Sequence, residues 1–395
     1  MIFKEKIKNW ATNFFDYEKF KERAIYKRNF ELSWFNKFMV WLNYFSVIAI
    51  LLSYCAQFIN PHNFWPIAFF GLAYPVLLYL NLFFILYWLV QLKLFFIWSL
   101  LIIIFGWNSF FSVFQIPQKQ EVVNSSDVKV MSYNSMLFDL YNWSNNLKSR
   151  EIIFDMLKEE SPDILCLQEF YTSEEENDFN NTDTVKKLLN LNFEHVYYTT
   201  TMRKFDHWGI ATFSKYPVIR KGSIEFNTRW NNSCIYTDLL IQNDTVRVYN
   251  MHLASIHFGK KEHEYIQEVM SHTDSLEINQ SKNLIRLLKN AYLLRAQQAS
   301  IVAEHIKNCK YKVIVCGDFN DTPNSFAYRK VKGNLIDCFR ESGEGISSTY
   351  AGKIPGIRID YILHDEQIKS YNYKRVSKTI TDHYPITAVM NMNNQ

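Results

Sequence analysis

Close to the C-terminal end of this 395-residue chain, the stretch "VIVCGDFNDTPNS" (residues 313–325) passes from wholly apolar to polar within a few positions. In a strand, side chains two apart share a face, so Asp318 and Asn320 project together while Phe319 turns back to packing. The same kind of polar exit recurs along the chain. Asn134 closes "VKVMSYN", Gln168 and Glu169 close "DILCLQE", and His252 lies near the end of "TVRVYNMHLASI". The last segments, "IRIDYILHD" and "TDHYPITAVM", bring Asp360, Asp382 and His383. Together these residues form a kit for hard-cation and acid–base chemistry. Glu169, Asp318 and Asp382 offer anionic oxygens and Asn134 and Asn320 amide groups, a donor set that suits Mg²⁺ or Mn²⁺ sharing its coordination with a phosphate. His383, with Asp360 as an orienting partner, can activate water, and His252 can stabilise or protonate a leaving group. Other readings stay open here: Asn134 as a strand-end cap, Asp360 as an ion-pair partner of Arg358. Arg203, Lys204 and Arg229 are candidates to receive a substrate's negative group, with surface solvation as the alternative. Arg295 in "LLRAQQAS" reads as a structural residue on a helix that covers a sheet.

Residues so far apart in sequence meet only if strand ends converge, which is where α/β scaffolds build sites. The pattern supplies such elements. A strand over residues 128–134 is followed by "REIIFDMLKEESPDILCLQEF", which predicts a helix, a break at Ser161 and Pro162, and a strand ending at Gln168 and Glu169. "GIATFSKYPVI", "CIYTDLLIQ" and "TVRVYNMHLASI" predict further strands, residues 283–306 a helix, and residues 313–318 a buried strand. Residues 172–184 form a polar loop, and residues 258–282 a long polar insertion beside His252. The six cysteines show no CxxC spacing and read as buried thiols. Neither a GxSxG elbow nor an HExxH helix occurs.

Charge divides the chain differently. Residues 1–37 hold nine Lys/Arg and five Asp/Glu, whereas Lys93 is the only charged residue in 38–118. The remainder carries 33 basic and 34 acidic residues, a near-neutral balance that speaks against a broad nucleic-acid footprint. Breaks at "NPHN" and "QLK" split the apolar region into three stretches, each of a length to cross a bilayer. The expected organisation is a basic cytoplasmic leader (1–37), three transmembrane helices (38–116), a linker (117–127) and a catalytic domain (128–395). The basic leader and Lys93 in the inner loop place that domain on the outer side of the cell membrane. The pattern carries no information on oligomeric state.

In order along the chain, "SYN", "PDILCLQE", "GIATFSKYP", "NMHL", "GDFNDTP", "RIDYIL" and "TDHYP" resemble the endonuclease/exonuclease/phosphatase superfamily, here as a membrane-anchored member of bacterial type. The resemblance spans residues 128–392 and implies a DNase I-like two-sheet α/β sandwich with its site at one rim. It implies Glu169 as the principal Mg²⁺ ligand, with Asn134 beside it on metal or phosphate and Asp382 at the metal or positioning the histidine. It further implies Asp318 orienting the attacking water, Asn320 on a phosphate oxygen, His383 as general base held by Asp360, and His252 stabilising the pentacoordinate transition state. Trp208 departs from the pattern, standing where relatives often carry a polar residue. The function these residues imply is a membrane-anchored, Mg²⁺-dependent phosphoesterase hydrolysing a phosphodiester or phosphomonoester, with one borne by lipid at the membrane surface as a candidate substrate. The alternatives are an extracytoplasmic nuclease or nucleotide phosphatase, and, in another class, a non-catalytic membrane module.

Overall fold

A computed structural model describes residues 32–117, 120–175, 179–226, 232–255, 278–352, 356–378 and 380–392. The first part is a bundle of apolar helices: α1 (Trp34–Ala56), the short α2 (Pro61–Phe64) and α3 (Ile67–Leu72), then α4 (Tyr74–Val90), α5 (Phe96–Phe105) and α6 (Trp107–Phe110). Asn36 meets Tyr87 and Ser46 meets Asn81, so α4 runs antiparallel to α1. Asn43 meets Ser99 and Tyr54 meets Ile102, so α5 runs parallel to it.

The bundle corrects the expectation of three spanning helices. Among the described residues only α1, with 23 residues, is long and apolar enough by itself to cross a membrane. The break at residues 91–95 falls at the expected "QLK", and the other, at 57–60, ends on the first residue of "NPHN", whose residues 61–63 open a short helix, while Pro66, Pro75 and Gly106 divide the other two stretches further. Proline removes an amide donor and clashes with the preceding turn. α4 keeps 17 residues and α5 only 10, or about 26 and 15 Å of rise against a hydrocarbon thickness of about 30 Å.

The second part is a two-layer sandwich. Its strands are β1 (Phe114–Gln115), β2 (Val128–Asn134), β3 (Ile164–Ser173), β4 (Phe193–Met202), β5 (Asp206–Ser214), β6 (Val218–Ile224), β7 (Ser233–Ile241), β8 (Asp244–His252), β9 (Lys312–Asp318), β10 (Ile336–Asp337), β11 (Gly345–Ile346), β12 (Asp360–His364), β13 (Lys369–Arg375) and β14 (Ile386–Asn391). One sheet has the order β10-β12-β9-β8-β7-β6, the other β13-β14-β2-β3-β5-β4. Alternate residues of both inner faces, among them Val130, Cys166, Val248, Ile314 and Ile362, form the buried seam between them. Helices α7 (Ser149–Glu160) and α8 (Asn181–Leu189) cover one outer face. α9 (Ile278–Lys307) and α10 (Phe326–Lys332) cover the other, while α11 (Cys338–Ser342) sits at the edge between the sheets, with Cys338 in the inner core and Phe339 against Tyr373.

Each sheet contains one parallel pair, β2/β3 and β8/β9. A parallel pair needs a crossover, and α7 and α9 provide the two. Both crossovers deliver strand ends to the same rim. In the parallel register His252 stands beside Asp318, and in the antiparallel β9/β12 register Asp318 stands beside Asp360.

The stretch between bundle and sandwich is held down rather than free. β1 pairs with β11, Lys369 binds Glu121, Asn372 and Glu121 exchange backbone-to-amide bonds, and Tyr371 donates to Asp127.

Candidate active site

At the shared rim the strand-end residues converge. Asn134 is buried and its Nδ2 donates both to Glu169 Oε1 (3.2 Å) and to Asp318 Oδ2 (3.1 Å), bridging the two sheets. Its Oδ1 accepts the Met136 amide (3.1 Å), so the amide oxygen is turned away from the site. In this arrangement Asn134 holds the two carboxylates together through its nitrogen.

Glu169 does not end its strand. β3 runs on to Ser173, and the pairing with β5 skips between Leu167 and Phe170. Glu169 occupies this bulge with φ 46°, a left-handed conformation that costs a non-glycine residue about 1 kcal/mol or more. A bulge re-aims a side chain, and here it leaves the carboxylate one-third exposed beside Asn134.

His252 Nε2 lies 3.6 Å from Glu169 Oε1 and 3.6 Å from Asp318 Oδ2, buried and, among the described residues, without a hydrogen-bond partner. Asp318 is itself buried, and its Oδ1 accepts the Asn320 amide at 2.8 Å. Asn320 sits at φ 53°, which asparagine tolerates. Its Nδ2 donates to Asp318 Oδ2 (3.2 Å) and to the Leu253 carbonyl (3.1 Å). Gly317, at φ 150°, lets β9 approach β8, since a Cβ there would fall 2.1 Å from the Met251 carbonyl oxygen.

His383 completes the cluster. Both Asp360 oxygens lie 3.0 Å from its Nδ1, Asp318 Oδ2 lies 3.6 Å from its Nε2 and Asp382 Oδ1 4.0 Å. Burial alone would keep the imidazole neutral, but the charges of Asp360 and Asp318 outweigh it and hold the pKa well above the usual histidine range. Burial in turn raises the Asp360 carboxyl. Arg358 pairs with Asp337 at 2.8 Å, so Asp360 belongs to His383. Asp382 is half-exposed, and among the described residues its ion pair is with His383.

Of the cationic candidates, Arg203 does not join the cluster. Arg203 lies in the β4/β5 turn, 69% exposed, and binds Asp206, which also accepts from Tyr171. Arg229 lies outside the described residues, as does most of the 258–282 insertion. Trp208 packs on Tyr171 with ring centroids 5.1 Å apart.

Sequence reasoning passed over a layer beneath the rim. Gln168 Nε2 donates to Asn250 Oδ1 (2.7 Å), and Asn250 Nδ2 donates to the Ala211 carbonyl (2.8 Å), joining the sheets by buried amides. The available signal was an amide inside each of two otherwise apolar strands.

The donor set fits a divalent cation. Asp318, Asp360 and His383 offer ligand atoms within 4.8 Å of one another, and Glu169 adds a carboxylate held against Asp318 by a single amide. Such crowding of hard anionic oxygens, with an orphaned imidazole nitrogen facing them, favours a small cation in their midst.

A two-sheet sandwich with carboxylates, amides and histidines gathered at one rim defines the class of DNase I-like hydrolases. The chain belongs to the Endonuclease/Exonuclease/phosphatase family, whose model matches residues 131–383, and it is accordingly a phosphoesterase-type hydrolase. Residues 36–113 match a domain of unknown function, DUF8431. Among curated proteins none matches. Similar solved structures include a Bacteroides thetaiotaomicron protein of the same family, with 17% identity, 67% of this chain and 97% of that one covered, and a TM-score of 0.47. The human Nocturnin catalytic domain with bound sulfate is similar at 16% identity, covering 68% and 96%, with a TM-score of 0.46. ANGEL2, a 2',3'-cyclic phosphatase, is similar at 18% identity, covering 71% and 99%, with a TM-score of 0.47.

Proposed function

We propose that the chain is a membrane-anchored, divalent-cation-dependent phosphoesterase whose substrate is a phosphate ester at the membrane surface. The observation that carries the chemistry is the meeting of Glu169, Asp318, His252 and His383 around one open rim. Glu169 and Asp318 would hold Mg²⁺ or Mn²⁺, which supplies charge neutralisation at a phosphate oxygen and a more acidic bound water. Asp318, buried and fixed by Asn134 and the Asn320 amide, orients the attacking water and receives its proton. His252 Nε2 donates to a phosphate oxygen, and Asn320 Nδ2 reaches one on giving up its bond to Asp318 Oδ2 or to the Leu253 carbonyl.

His383 takes a role different from the general base implied by the resemblance. The carboxylates of Asp360 and Asp318 favour its protonated form, in which Nε2 donates to the charge that develops on the phosphate or leaving oxygen and the ring is not a cation ligand. Asp360 holds its Nδ1 and the ring's orientation.

Membrane anchoring is supported by the polarity of the bundle, which is inverted relative to a protein in water. Asn43, Ser46, Asn81 and Ser99 lie inside, while Trp41, Phe45, Ile48, Leu86 and Phe105 face out. The basic leader favours a cytoplasmic N-terminus, which puts the catalytic domain across the membrane.

The test is turnover by the purified full-length chain of bis(p-nitrophenyl) phosphate, of vesicle-embedded phospholipid, and of free DNA, RNA and nucleotides, with Mg²⁺, Mn²⁺ or chelator. The expected result is cation-dependent hydrolysis that prefers the embedded lipid and falls about a hundredfold or more in Glu169→Ala and Asp318→Ala. Cation-independent turnover, or normal rates in both variants, would overturn the site. A preference for the soluble substrates would make the enzyme a nuclease or nucleotide phosphatase.

A further inference from the structure

The strand ends that carry His252 and Asn320 are gripped from outside the site by one residue of α9. Arg295, 2% exposed, donates from Nη1 to the backbone carbonyl of Asn320 and to that of Ala254 (3.5 Å), and its Nε stands 3.3 Å from the buried Asp321 carboxylate. Three residues further along the helix, Gln298 Oε1 accepts the Ala254 amide at 2.8 Å.

The apolar bundle is seated on this same unit. Pro75 has no amide hydrogen, so the Gly71 carbonyl, which a regular helix would pair with residue 75, is left without its helical partner. The Thr322 hydroxyl donates to it at 2.9 Å. At Gly71 the two backbones also approach closely, since a Cβ there would stand 2.7 Å from the Asn324 carbonyl oxygen. Gln57 Nε2 donates to Asn324 Oδ1 (3.2 Å), His62 Nε2 lies 3.1 Å from the Leu293 carbonyl, and Phe69 meets Tyr292 edge-on at 5.4 Å. The turn that follows Asp318 is thus held between α9 on one side and the bundle on the other.

We propose that the bundle is a working part of the active site: Arg295 and the Gly71–Thr322 contact clamp the turn at residues 320–324, and bundle docking thereby sets where Asn320 and His252 stand. Arg295 is a positioning residue in this scheme and touches no substrate. The proposal rests on the reading of Asn320 and His252 as phosphate-binding groups.

The experiment uses the full-length chain in detergent with bis(p-nitrophenyl) phosphate and Mg²⁺. It follows kcat and KM together with amide hydrogen exchange of the peptide covering residues 318–326. Gly71→Leu and Arg295→Met are expected to speed exchange in that peptide and to lower kcat/KM by about ten- to a hundredfold, as misplacement of positioned groups does. Arg295→Lys, which keeps a donor, should recover part of both. Thr322→Val removes only the hydroxyl and carries the test if Gly71→Leu does not fold. Unchanged exchange in the folded variants, or faster exchange with unchanged kcat and KM, would overturn the clamp. If the wild-type chain hydrolyses nothing, the phosphoesterase reading falls and the exchange data alone decide whether the clamp exists.

Discussion

His383 is surrounded by carboxylates, and its charge follows from them before its role does. With Asp360 at 3.0 Å and Asp318 at 3.6 Å, the imidazolium is favoured far into the alkaline range of histidine, against the opposing pull of burial. Asp360→Asn removes one of the two charges, and an opposite charge at this distance moves a pKa by about one to three units. If His383 acts as a proton donor, the alkaline limb of the pH–rate profile moves to lower pH in that variant and kcat falls; if it acts as a base, the acidic limb moves instead. His383→Ala should cost about a hundredfold to ten-thousandfold in kcat in either case. At this scale the sequence was informative about which residues meet, because polar residues at the ends of apolar strands mark the rim. It was silent on what each one faces. That Asn134 shows its nitrogen to the site depends on the Met136 amide, and that Arg203 is committed to Asp206 depends on a turn geometry no spacing reveals.

Glu160, the last residue of α7, ties that helix to the root of β2. Its carboxylate is 2.9 Å from Lys129 and 2.5 Å from Lys374. Burial pushes its pKa up, but the hydrogen bonds from Lys374 and Lys129 outweigh this and hold it below the usual value of 4.5. A carboxyl depressed in the folded state contributes stability above its unfolded pKa and loses it as pH falls through the folded one. Glu160→Gln should therefore lower the melting temperature at pH 7, by the equivalent of about 1 kcal/mol after solvent screening, with the difference closing as pH falls below the usual glutamate range and through the depressed folded-state value. Arg358 presents the harsher case. It is fully buried against Asp337 and also donates to the Ser112 carbonyl at the end of the bundle. Arg358→Met leaves Asp337 charged and unpaired, an expected loss of about 3–5 kcal/mol in a denaturation experiment. The elements themselves were largely readable: β2 occupies residues 128–134 as its alternation predicts, and α7 ends before Ser161, whose left-handed φ of 42° closes it. The bulge at Glu169 was not readable, because a bulge is set by the partner strand. The subdivision of the apolar region was missed because apolar content measures solvent preference, whereas helix length is set by Pro66, Pro75 and Gly106.

At the scale of the whole molecule, the hydrogen bonds and ring contacts between bundle and sandwich gather at one end of the bundle, at residues 57–73 and 106–113. The first residues of α1 and the turn at Lys93 lie at the other end. The catalytic rim is therefore fixed relative to the bundle rather than swinging on a tether, and whatever solvent the bundle occupies determines what the rim meets. Water and lipid make opposite demands on its surface. Ile48, 56% exposed near the middle of α1, and Leu82 on α4 face outward, while Asn43 is buried, donating to Ser99 Oγ (2.6 Å) and accepting from Trp88 Nε1 (3.0 Å). In water, Ile48→Lys and Leu82→Lys would be harmless surface changes that improve solubility. In a bilayer, a lysine near the centre of a helix costs about 2.5–3.5 kcal/mol, and two on one bundle roughly double that. The expected outcome is that the full-length wild-type chain stays with the membrane through a high-salt wash and a carbonate wash, and that the double lysine variant is lost from the membrane fraction or degraded. A double variant that is recovered soluble, folded and as active as wild type on bis(p-nitrophenyl) phosphate would show that the bundle faces water, and would remove the membrane surface from the account of the substrate.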